Sequence, residues 1–440
     1  MSSIRSVTAR LLAAALLTGD WHQADAERRA ATALGADDTA WLGALLTRVF
    51  QRFEHRPSRL ALLAAFIAAD AGFQSRWNDL EARPKVRKPS LQPMPGRDPP
   101  AALAALEPPV LATTAELAAW LGLDADLLDW LSEPRRGRDH YRYRWQAGRN
   151  GKQRLLEIPK QRLAAVQRRI LHGLLDRLPP HEAAHGFRRG HSCLSFAVPH
   201  AGRRWVLRLD LKDFFPSIPY GRVFRVFASL GYPEQVCRTL ARLCTHATPA
   251  PVLAAGGLQG AAAAAWRMPH LPHGAPASPA LANLCAFRLD LRLAALAGSL
   301  GLAYSRYADD MALSGDGPPR RIHGLHLLVC RIALEEGFEI NTRKTRLMKA
   351  GSRQVLTGLT VNAKVNAPRD EYDRLKAILH NCARFGPDSQ NREGHPRFRA
   401  HLQGRIAYIH SVSPARAARL RAVFEQVRWR ENGDEGVESS

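Results

Sequence analysis

The chain has 440 residues, of which 63 are Lys or Arg and 40 are Asp or Glu, so its formal net charge at pH 7 is +23. This length exceeds what one hydrophobic core usually organises and predicts two or three domains. An apolar fraction of 46% excludes a disordered chain. The positive charge predicts nucleic acid as a partner, because each neutralised phosphate releases condensed counterions. A merely soluble, Arg-rich protein is the alternative.

The cysteines and the N-terminus indicate the compartment. Six Cys are scattered without a CxxC pair, which excludes a disulfide framework and a zinc site of the usual spacing. The apolar run 11–17 is short for an export signal and fits an amphipathic helix equally well. No apolar run approaches the ~20 residues that span a membrane. The protein is therefore predicted to be cytoplasmic, with no membrane partner.

The first third of the chain is predicted to be helical in two parts. Residues 1–82 are rich in Ala and Leu at helical spacing and predict a mostly helical N-terminal extension. Residues 83–112 are rich in Pro and basic residues at their start and predict a linker. Residues 113–139 predict a helical segment that Thr113 or Thr114 caps. RNA binding, effector docking, oligomerisation and simple packing all stay open as roles for 1–139.

From residue 140 the pattern alternates between strands and helices. "HYRYRWQ", "QRLLEIP" and "RWVLRLDL" predict strands, with amphipathic helices between them. "SPALANLCAFRLDLRLAALAG" predicts one helix with Ser278 as N-cap and Pro279 at the first helical position. "LAYSRYADDMALSG" predicts two strands joined at an Asp pair, and "RQVLTGLTVN" predicts a further strand. The hairpin favours an α+β fold with an antiparallel sheet over a Rossmann-type fold.

The remaining residues are predicted to be helical and then disordered. The stretch 368–430 is basic with helical spacing, and 433–440 predicts a disordered tail.

Three carboxylates stand out in this basic chain. Asp309 and Asp310 are adjacent, and alone they would indicate only a polar hairpin turn. Asp210, however, ends the apolar run "VLRLDL", and a buried carboxylate is unfavourable unless it is compensated. If the two strands are neighbours, Asp210 and Asp309 converge, and divalent cations would make the cluster tolerable. Two Mg²⁺ ions, or Mn²⁺ as a substitute, would then support phosphoryl or nucleotidyl transfer on a nucleic acid.

Five motifs in order resemble the palm of reverse transcriptases. They read "LRLDLKDFF", "LPHGAPASPALANL", "YSRYADD", "GFEINTRKT" and "VLTGLTVN", and "AAHGFRRGHS" is similar to a finger motif. The YADD form is similar to the bacterial and group II intron branch. The resemblance implies an RNA-directed DNA polymerase with a right-hand fold of fingers, palm and thumb and an antiparallel palm sheet. Fingers and palm would span 140–366, and a helical, RNA-binding thumb 367–432.

The resemblance also implies roles for single residues. Asp210, Asp309 and Asp310 would be catalytic metal ligands, and Lys344 would protonate or neutralise the leaving pyrophosphate. Nucleotide contacts are implied for Phe215, Gly274, His273, Arg154 and Lys152. Phe215 matches the steric gate that crowds a ribose 2′-OH and so selects dNTPs, with plain core packing as the alternative. His273 stands where the family usually has Gln, and imidazole donates fewer hydrogen bonds than an amide.

Two weaker motifs resemble the retron group. "FAVPH" at 196–200 keeps the Ala and His of a retron motif, and "LTG" at 356–358 differs from the usual "VTG" by one residue. RNA contacts are implied for His200, Thr357, Gly358 and Arg405.

Retron membership implies partners and a mechanism. The enzyme would copy its cognate noncoding RNA from an internal 2′-OH into a branched RNA–DNA hybrid, in anti-phage defence with an effector protein. Another bacterial reverse transcriptase, of the abortive-infection or diversity-generating type, stays open. So does a catalytically silent RNA-binding scaffold, which the presence of all three carboxylates disfavours.

Overall fold

A computed structural model describes residues 2–17, 21–34, 40–55, 57, 60–79, 101–133, 139–147, 153–318 and 322–429. The chain divides into two compact units, Met1–Met94 and Pro95–Ser440. Within the described residues, no helix combines the length and the apolar character needed to cross a membrane. All six cysteines are free.

The first unit is helical, as its spacing predicts. Leu42, Leu46 and Val49, at helical spacing on one helix face, are fully buried in its core. Asp70 caps the last helix through the backbone N–H of Phe73 and accepts a hydrogen bond from Arg48. The helices are α1 Ser2–Leu16, α2 Gln23–Leu34, α3 Ala40–Arg52, α4 Leu60–Ala69 and α5 Ala71–Asn78.

The second unit opens with three short helices, α6 Ala101–Ala104, α7 Thr114–Leu121 and α8 Ala125–Ser132. Thr113 is the N-cap of α7, as predicted, and its hydroxyl accepts from the N–H of Glu116. The helical block splits in two because Gly122 ends α7 at φ +68° and Asp124 caps α8. Of the predicted linker, 83–100 lies outside the described residues.

The rest of the unit mixes helices and strands. Its first half contains β1 Tyr141–Ala147, β2 Gln153–Pro159, α9 Gln161–Gly173, α10 Cys193–Ala197, β3 Trp205–Asp210, α11 Tyr220–Ser229, α12 Glu234–Cys244, α13 Ala250–Ala255 and α14 Ala264–Arg267. Its second half contains α15 Ser278–Cys285, α16 Phe287–Ser299, β4 Ala303–Tyr307, β5 Asp310–Gly315, α17 Ile322–Glu335, β6 Arg346–Lys349, β7 Val355–Leu356, β8 Leu359–Thr360, α18 Arg369–Phe385, α19 Phe398–Val412 and α20 Pro414–Glu425.

A four-stranded antiparallel sheet in the order β4-β5-β3-β6 forms the predicted palm. Both of its faces are covered. Leu207 and Leu313, which pair across β3 and β5, face the main core with the surrounding helices. Val206 and Ala312 face a smaller cluster on the other side. The confirmed antiparallel pairing aligns the strand ends that carry the candidate carboxylates.

The predicted long helix from residue 278 is wrong in two respects. It breaks at Ala286 into α15 and α16. Ser278 is the first residue of α15 and not its N-cap, because Ala277 holds that position and no side chain caps it. The Ser278 hydroxyl oxygen is buried without a hydrogen-bond partner among the described residues.

The predicted strand "RQVLTGLTVN" is a tight hairpin instead. Its strands β7 and β8 are antiparallel and two residues long. Thr357 and Gly358 form the turn with φ of +46° and +85°, the left-handed conformation that a two-residue loop of this kind requires.

A three-helix thumb follows the hairpin, as the helical spacing of 368–430 predicts. Leu375 and Leu379 of α18, Ile406 of α19 and Leu420 of α20 are buried together in its core. Arg405, a predicted RNA contact, lies on α19 and pairs with Glu371 of α18 at 2.5 Å. The predicted tail 433–440 lies outside the described residues.

The RNA contact predicted for His200 is wrong in this structure, because the side chain is fully buried. Its two ring nitrogens lie 2.7 Å from the hydroxyls of Ser314 and Ser305. Burial, with a smaller contribution from the Arg203 charge, lowers the pKa of His200 to about 3. His200 therefore ties α10 and its following turn to the sheet as a neutral ring.

We expect acid to destabilise the protein through its buried histidines. Burial also lowers the pKa of His185 and His246 to about 4. An unfolded His binds a proton below about pH 6.5, whereas these folded ones do not, so stability falls as the pH drops from about 6.5 towards 4. In urea unfolding at pH 7.5 and 5, His200→Gln should lose less stability on acidification than the wild type. Equal losses would contradict this account.

Candidate active site

The sheet brings the three candidate carboxylates to one edge. Asp210 ends β3 and pairs with Asp310, the first residue of β5. Asp309 lies in the two-residue turn that joins β4 to β5, and its carbonyl accepts from the N–H of Leu211 at 2.8 Å. The convergence of Asp210 and Asp309, predicted if their strands are neighbours, is therefore confirmed. Ala308, the first residue of the turn, has φ +56°, an uncommon conformation for a non-Gly residue.

These carboxylates repel one another. Burial raises the pKa of Asp309, and the charges of Asp210 and Asp310 raise it further. Burial also raises the pKa of Asp310, although the Arg208 guanidinium opposes the shift. A bound cation would relieve this repulsion at the sheet edge.

Two basic side chains neutralise part of the cluster. The ammonium of Lys344 lies 2.7 Å from Asp210. Arg208 donates through Nε and Nη2 to Asp310 Oδ1, at 3.0 and 2.7 Å. Asp309 has no ion-pair partner among the described residues. Lys344 thus lies at the carboxylates, where its predicted role requires it to be.

The donor set fits a hard divalent ion through two of the three carboxylates. Within the described ranges, no group of three or more His, Cys, Asp or Glu is arranged to hold a metal. Arg208 bonds Asp310 through two nitrogens, Lys344 bonds one oxygen of Asp210 through one, and Asp309 has no such partner in the described part of the chain, so Asp309 and the second oxygen of Asp210 can offer oxygen ligands. Mg²⁺ is usually held in this way, by one or two carboxylates with the remaining positions filled by water and substrate phosphates.

A buried arginine supports the β4–β5 turn that carries Asp309. Arg306, fully buried, donates to both carboxylate oxygens of Asp290, at 2.8 and 2.6 Å. Its Nη1 donates to the carbonyl of Ala308 at 3.0 Å and to Asn283 at 3.1 Å. This pair was not predicted from the sequence. Two signals in the sequence could have identified the pair. Arg306 is a charged residue at an inward strand position, and Asp290 lies on an apolar helix face.

Gly186 packs against the same turn. Its carbonyl accepts from the side chain of Asn283 at 2.8 Å. A Cβ at this position would lie 2.5 Å from the backbone nitrogen of Ala308, too close to be accommodated without movement. The finger motif "AAHGFRRGHS" is therefore in direct contact with the turn that holds Asp309.

We expect Gly186→Ala to lower polymerase activity about 10- to 100-fold, because displacing a reacting group by ~1 Å can cost that much. Single-nucleotide incorporation on a primed template measures the loss. Gly324→Ala is the matched control, since its added Cβ would meet nothing within 4 Å. Similar rates for the two variants would exclude a positioning role for Gly186.

Among the predicted nucleotide-binding residues, His273 contacts Phe215. The ring of His273 stacks on Phe215, with centroids 5.3 Å apart and planes 14° apart. Gly274 follows with φ +123°. Arg154 is exposed on β2. Burial lowers the pKa of His273, and the positive charge of Arg154 lowers it further. Lys152 lies outside the described residues.

A buried carboxylate that sequence reasoning missed holds this loop. Glu157 on β2 is fully buried and accepts hydrogen bonds from Thr248 at 2.6 Å and from His270 at 3.1 Å. Burial alone would raise the pKa of Glu157, but the His270 and Thr248 hydrogen bonds outweigh it and the pKa is lowered. The inward position of Glu157 in the alternating strand "QRLLEIP" is the signal that could have found it.

The other predicted RNA contacts lie on the β7–β8 hairpin and on α19. Gly358 is exposed at the tip of the β7–β8 hairpin, and a Cβ there would lie 3.8 Å from the hydroxyl of Tyr408 on α19. The Thr357 hydroxyl oxygen is buried without a hydrogen-bond partner among the described residues.

Several known proteins similar to this chain are reverse transcriptases. A family model described as reverse transcriptase (RNA-dependent DNA polymerase) matches residues 146–366. The Retron Mx65 reverse transcriptase of Myxococcus xanthus is 43% identical over 318 residues, covering 71% of each chain. The Retron Ec86 reverse transcriptase of Escherichia coli is 33% identical over 274 residues, 62% of this chain and 76% of the relative.

A solved structure of a foamy viral protease-reverse transcriptase with an RNA/DNA hybrid matches 66% of this chain and 31% of its own, at 12% identity and a TM-score of 0.36. The family model covers half of the chain, and the Mx65 relative is matched over more than two thirds of its length at high identity. The chain therefore belongs to the retron reverse transcriptases, which are RNA-directed DNA polymerases with a right-hand fold.

Proposed function

We propose that this enzyme copies part of a cognate structured noncoding RNA into DNA from dNTPs, with Asp210 and Asp309 at the reacting phosphate. The observation that carries the proposal is the convergence of these two carboxylates at the end of β3 and in the β4–β5 turn. We assign catalysis to 140–366 and RNA binding to the thumb, 367–432.

In the proposed reaction, a primer hydroxyl attacks the α-phosphorus of a dNTP. The hydroxyl oxygen bonds to the α-phosphorus and gives up its proton to solvent, the bond from the α-phosphorus to the oxygen that bridges to the β-phosphorus breaks, and pyrophosphate leaves. Reverse transcriptases use divalent metal ions. Two Mg²⁺ ions, or Mn²⁺ in their place, would activate the hydroxyl and stabilise the leaving oxygen when held by Asp210 and Asp309.

The chain's own residues supply charge and shape around this reaction. Lys344, beside Asp210, would neutralise or protonate the leaving pyrophosphate. Arg154, exposed on β2, would bind the triphosphate, since guanidinium groups match phosphate geometry. Phe215 would crowd a ribose 2′-OH and so favour dNTPs. Asp310, held by Arg208, would shape the edge of the site with less direct contact to metal.

The RNA is proposed to supply both template and primer. Synthesis would start at the 2′-OH of an internal guanosine and give a branched RNA–DNA hybrid. The thumb is rich in Arg and His and would bind an RNA stem by its shape and phosphates. The product would serve anti-phage defence together with an effector protein.

The nucleic acid that co-purifies with the protein tests this proposal. The protein is expressed with its native flanking DNA, and the bound nucleic acid is run on a denaturing gel with and without RNase. An Asp309→Ala/Asp310→Ala variant serves as the control. We expect a discrete DNA that shortens with RNase, keeps a short RNA stub and is absent from the control.

Two other results would contradict the proposal. RNA without DNA in both samples would indicate an RNA-binding scaffold. Unbranched DNA of mixed length would indicate another type of bacterial reverse transcriptase.

A further inference from the structure

The candidate steric gate is partly exposed and is contacted by other aromatic rings. Phe215 stacks on His273 almost in parallel, and the ring of Phe187 lies 6.0 Å from it, centroid to centroid. A ring that excludes a hydroxyl by contact must keep its orientation when the wrong nucleotide pushes against it. A partly exposed Phe has alternative rotamers and therefore depends on its neighbours for this stiffness.

The backbone of His273 is fixed to strand β2 from both sides. Its carbonyl accepts from the N–H of Glu157 at 2.8 Å, and its own N–H donates to the Glu157 carboxylate at 3.3 Å. Glu157 is in turn held by Thr248 and His270. Burial lowers the pKa of His273 and so favours the neutral ring. These hydrogen bonds fix the backbone from which the His273 ring stacks on Phe215.

Phe187, whose ring also lies near Phe215, has an uncommon backbone conformation. Phe187 has φ +59°, which costs energy for a bulky residue, and the residue is 47% exposed. It directly follows Gly186, which packs against the catalytic turn. The structure thus places one strained aromatic residue between the turn and the candidate gate.

We propose that His273 is a positioning residue for sugar selection, whose ring holds Phe215 in the orientation that excludes a ribose 2′-OH. The inference rests on the proposed function of Phe215 as the gate. It differs from the hydrogen-bonding role of the usual Gln at this position. The proposed positioning role requires a flat ring at residue 273, not a polar group.

Single-nucleotide incorporation opposite the same template base, with dCTP and with CTP, tests the inference. The measured quantity is the ratio of kcat/KM for the two nucleotides. We expect Phe215→Ala to lose most of the preference for dCTP. His273→Ala should lose at least about tenfold of it, mainly because kcat/KM for CTP rises. His273→Phe should keep the preference, and His273→Gln should lose it.

The outcomes separate this inference from the proposed gate. If Phe215→Ala keeps the wild-type ratio, Phe215 is not the gate and both proposals fail. If Phe215→Ala loses the preference but His273→Ala keeps it, only the inference fails. An equal rise in KM for both nucleotides in His273→Ala, with rescue by Gln, would show a direct nucleotide contact instead. Since Phe and Gln both fill the site but only Phe offers an aromatic ring, their comparison decides the question even if the Ala variant folds poorly.

A double variant adds an independent check. In a Phe215→Ala background, His273→Ala should change the dCTP/CTP ratio by less than about twofold, because a residue that acts through Phe215 has no effect once that ring is gone. A further large change would overturn the inference.

Discussion

Replacing Asp309 with Asn is expected to lower RNA-templated primer extension by at least about 1000-fold. The variant keeps the side-chain shape but removes a charged oxygen ligand. Bound metal ions stabilise the transition state by several kcal/mol. Each ~1.4 kcal/mol of this stabilisation that is lost lowers the rate tenfold, which accounts for a loss of this size. Stability should not fall, because Asp309 is repelled by Asp210 and Asp310 in the folded protein. Extension rates and thermal melts measure the two effects.

Two matched variants sharpen this prediction. Asp310→Asn should cost less activity than Asp309→Asn, because Arg208 already occupies that carboxylate. Asp316→Asn changes an exposed carboxylate that is paired with Arg203 and should leave the rate unchanged. If Asp309→Asn keeps more than about a tenth of the wild-type rate, Asp309 is not a metal ligand.

The largest expected loss of stability follows from Arg306→Met. Removing one partner of a fully buried ion pair leaves the charge of Asp290 uncompensated, which costs about 3–5 kcal/mol. The carbonyl of Ala308 also loses its donor, so polymerase activity should fall together with stability. Urea unfolding and primer extension measure both effects.

A surface pair provides the control for Arg306. Arg288 pairs with Glu336 but is 77% exposed, so Arg288→Met should change the free energy of unfolding by no more than about 1 kcal/mol. Arg306→Met combined with Asp290→Leu should recover part of the stability, because no buried charge remains, but not the activity. Equal destabilisation by the two Met variants would contradict a special role for Arg306.

Local patterns predicted the elements that place the carboxylates. An apolar run ending in Asp210 indicated a buried strand, and two short apolar runs around Asp309 indicated a hairpin. Both features depend on neighbouring residues only, so they can be seen in the sequence. The antiparallel pairing of β3 with β5 joins distant parts of the chain and was expected only as a condition, and the fold provides it and brings the two side chains together.

The supporting contacts could not be predicted because they join distant parts of the chain. His200 contacts Ser305 and Ser314, which lie more than a hundred residues further along the chain. Its position in a family motif suggested an RNA contact, but the fold buries it. Glu157 and His270 meet in the same way. Ser278 has the residue type of an N-cap, but the preceding turn already takes the helical direction at Ala277, where φ is −80° and ψ is −19°.

Anomalous scattering from Mn²⁺ tests the central claim most directly. Crystals of the enzyme with a primed RNA template, a non-reactive dNTP analogue and Mn²⁺ would be measured near the manganese absorption edge. We expect peaks within about 2.5 Å of oxygens of Asp210 and Asp309, with Lys344 displaced from Asp210 and Arg208 still on Asp310. Manganese bound elsewhere, with the Lys344–Asp210 pair intact, would contradict the assignment of these two carboxylates as the catalytic pair.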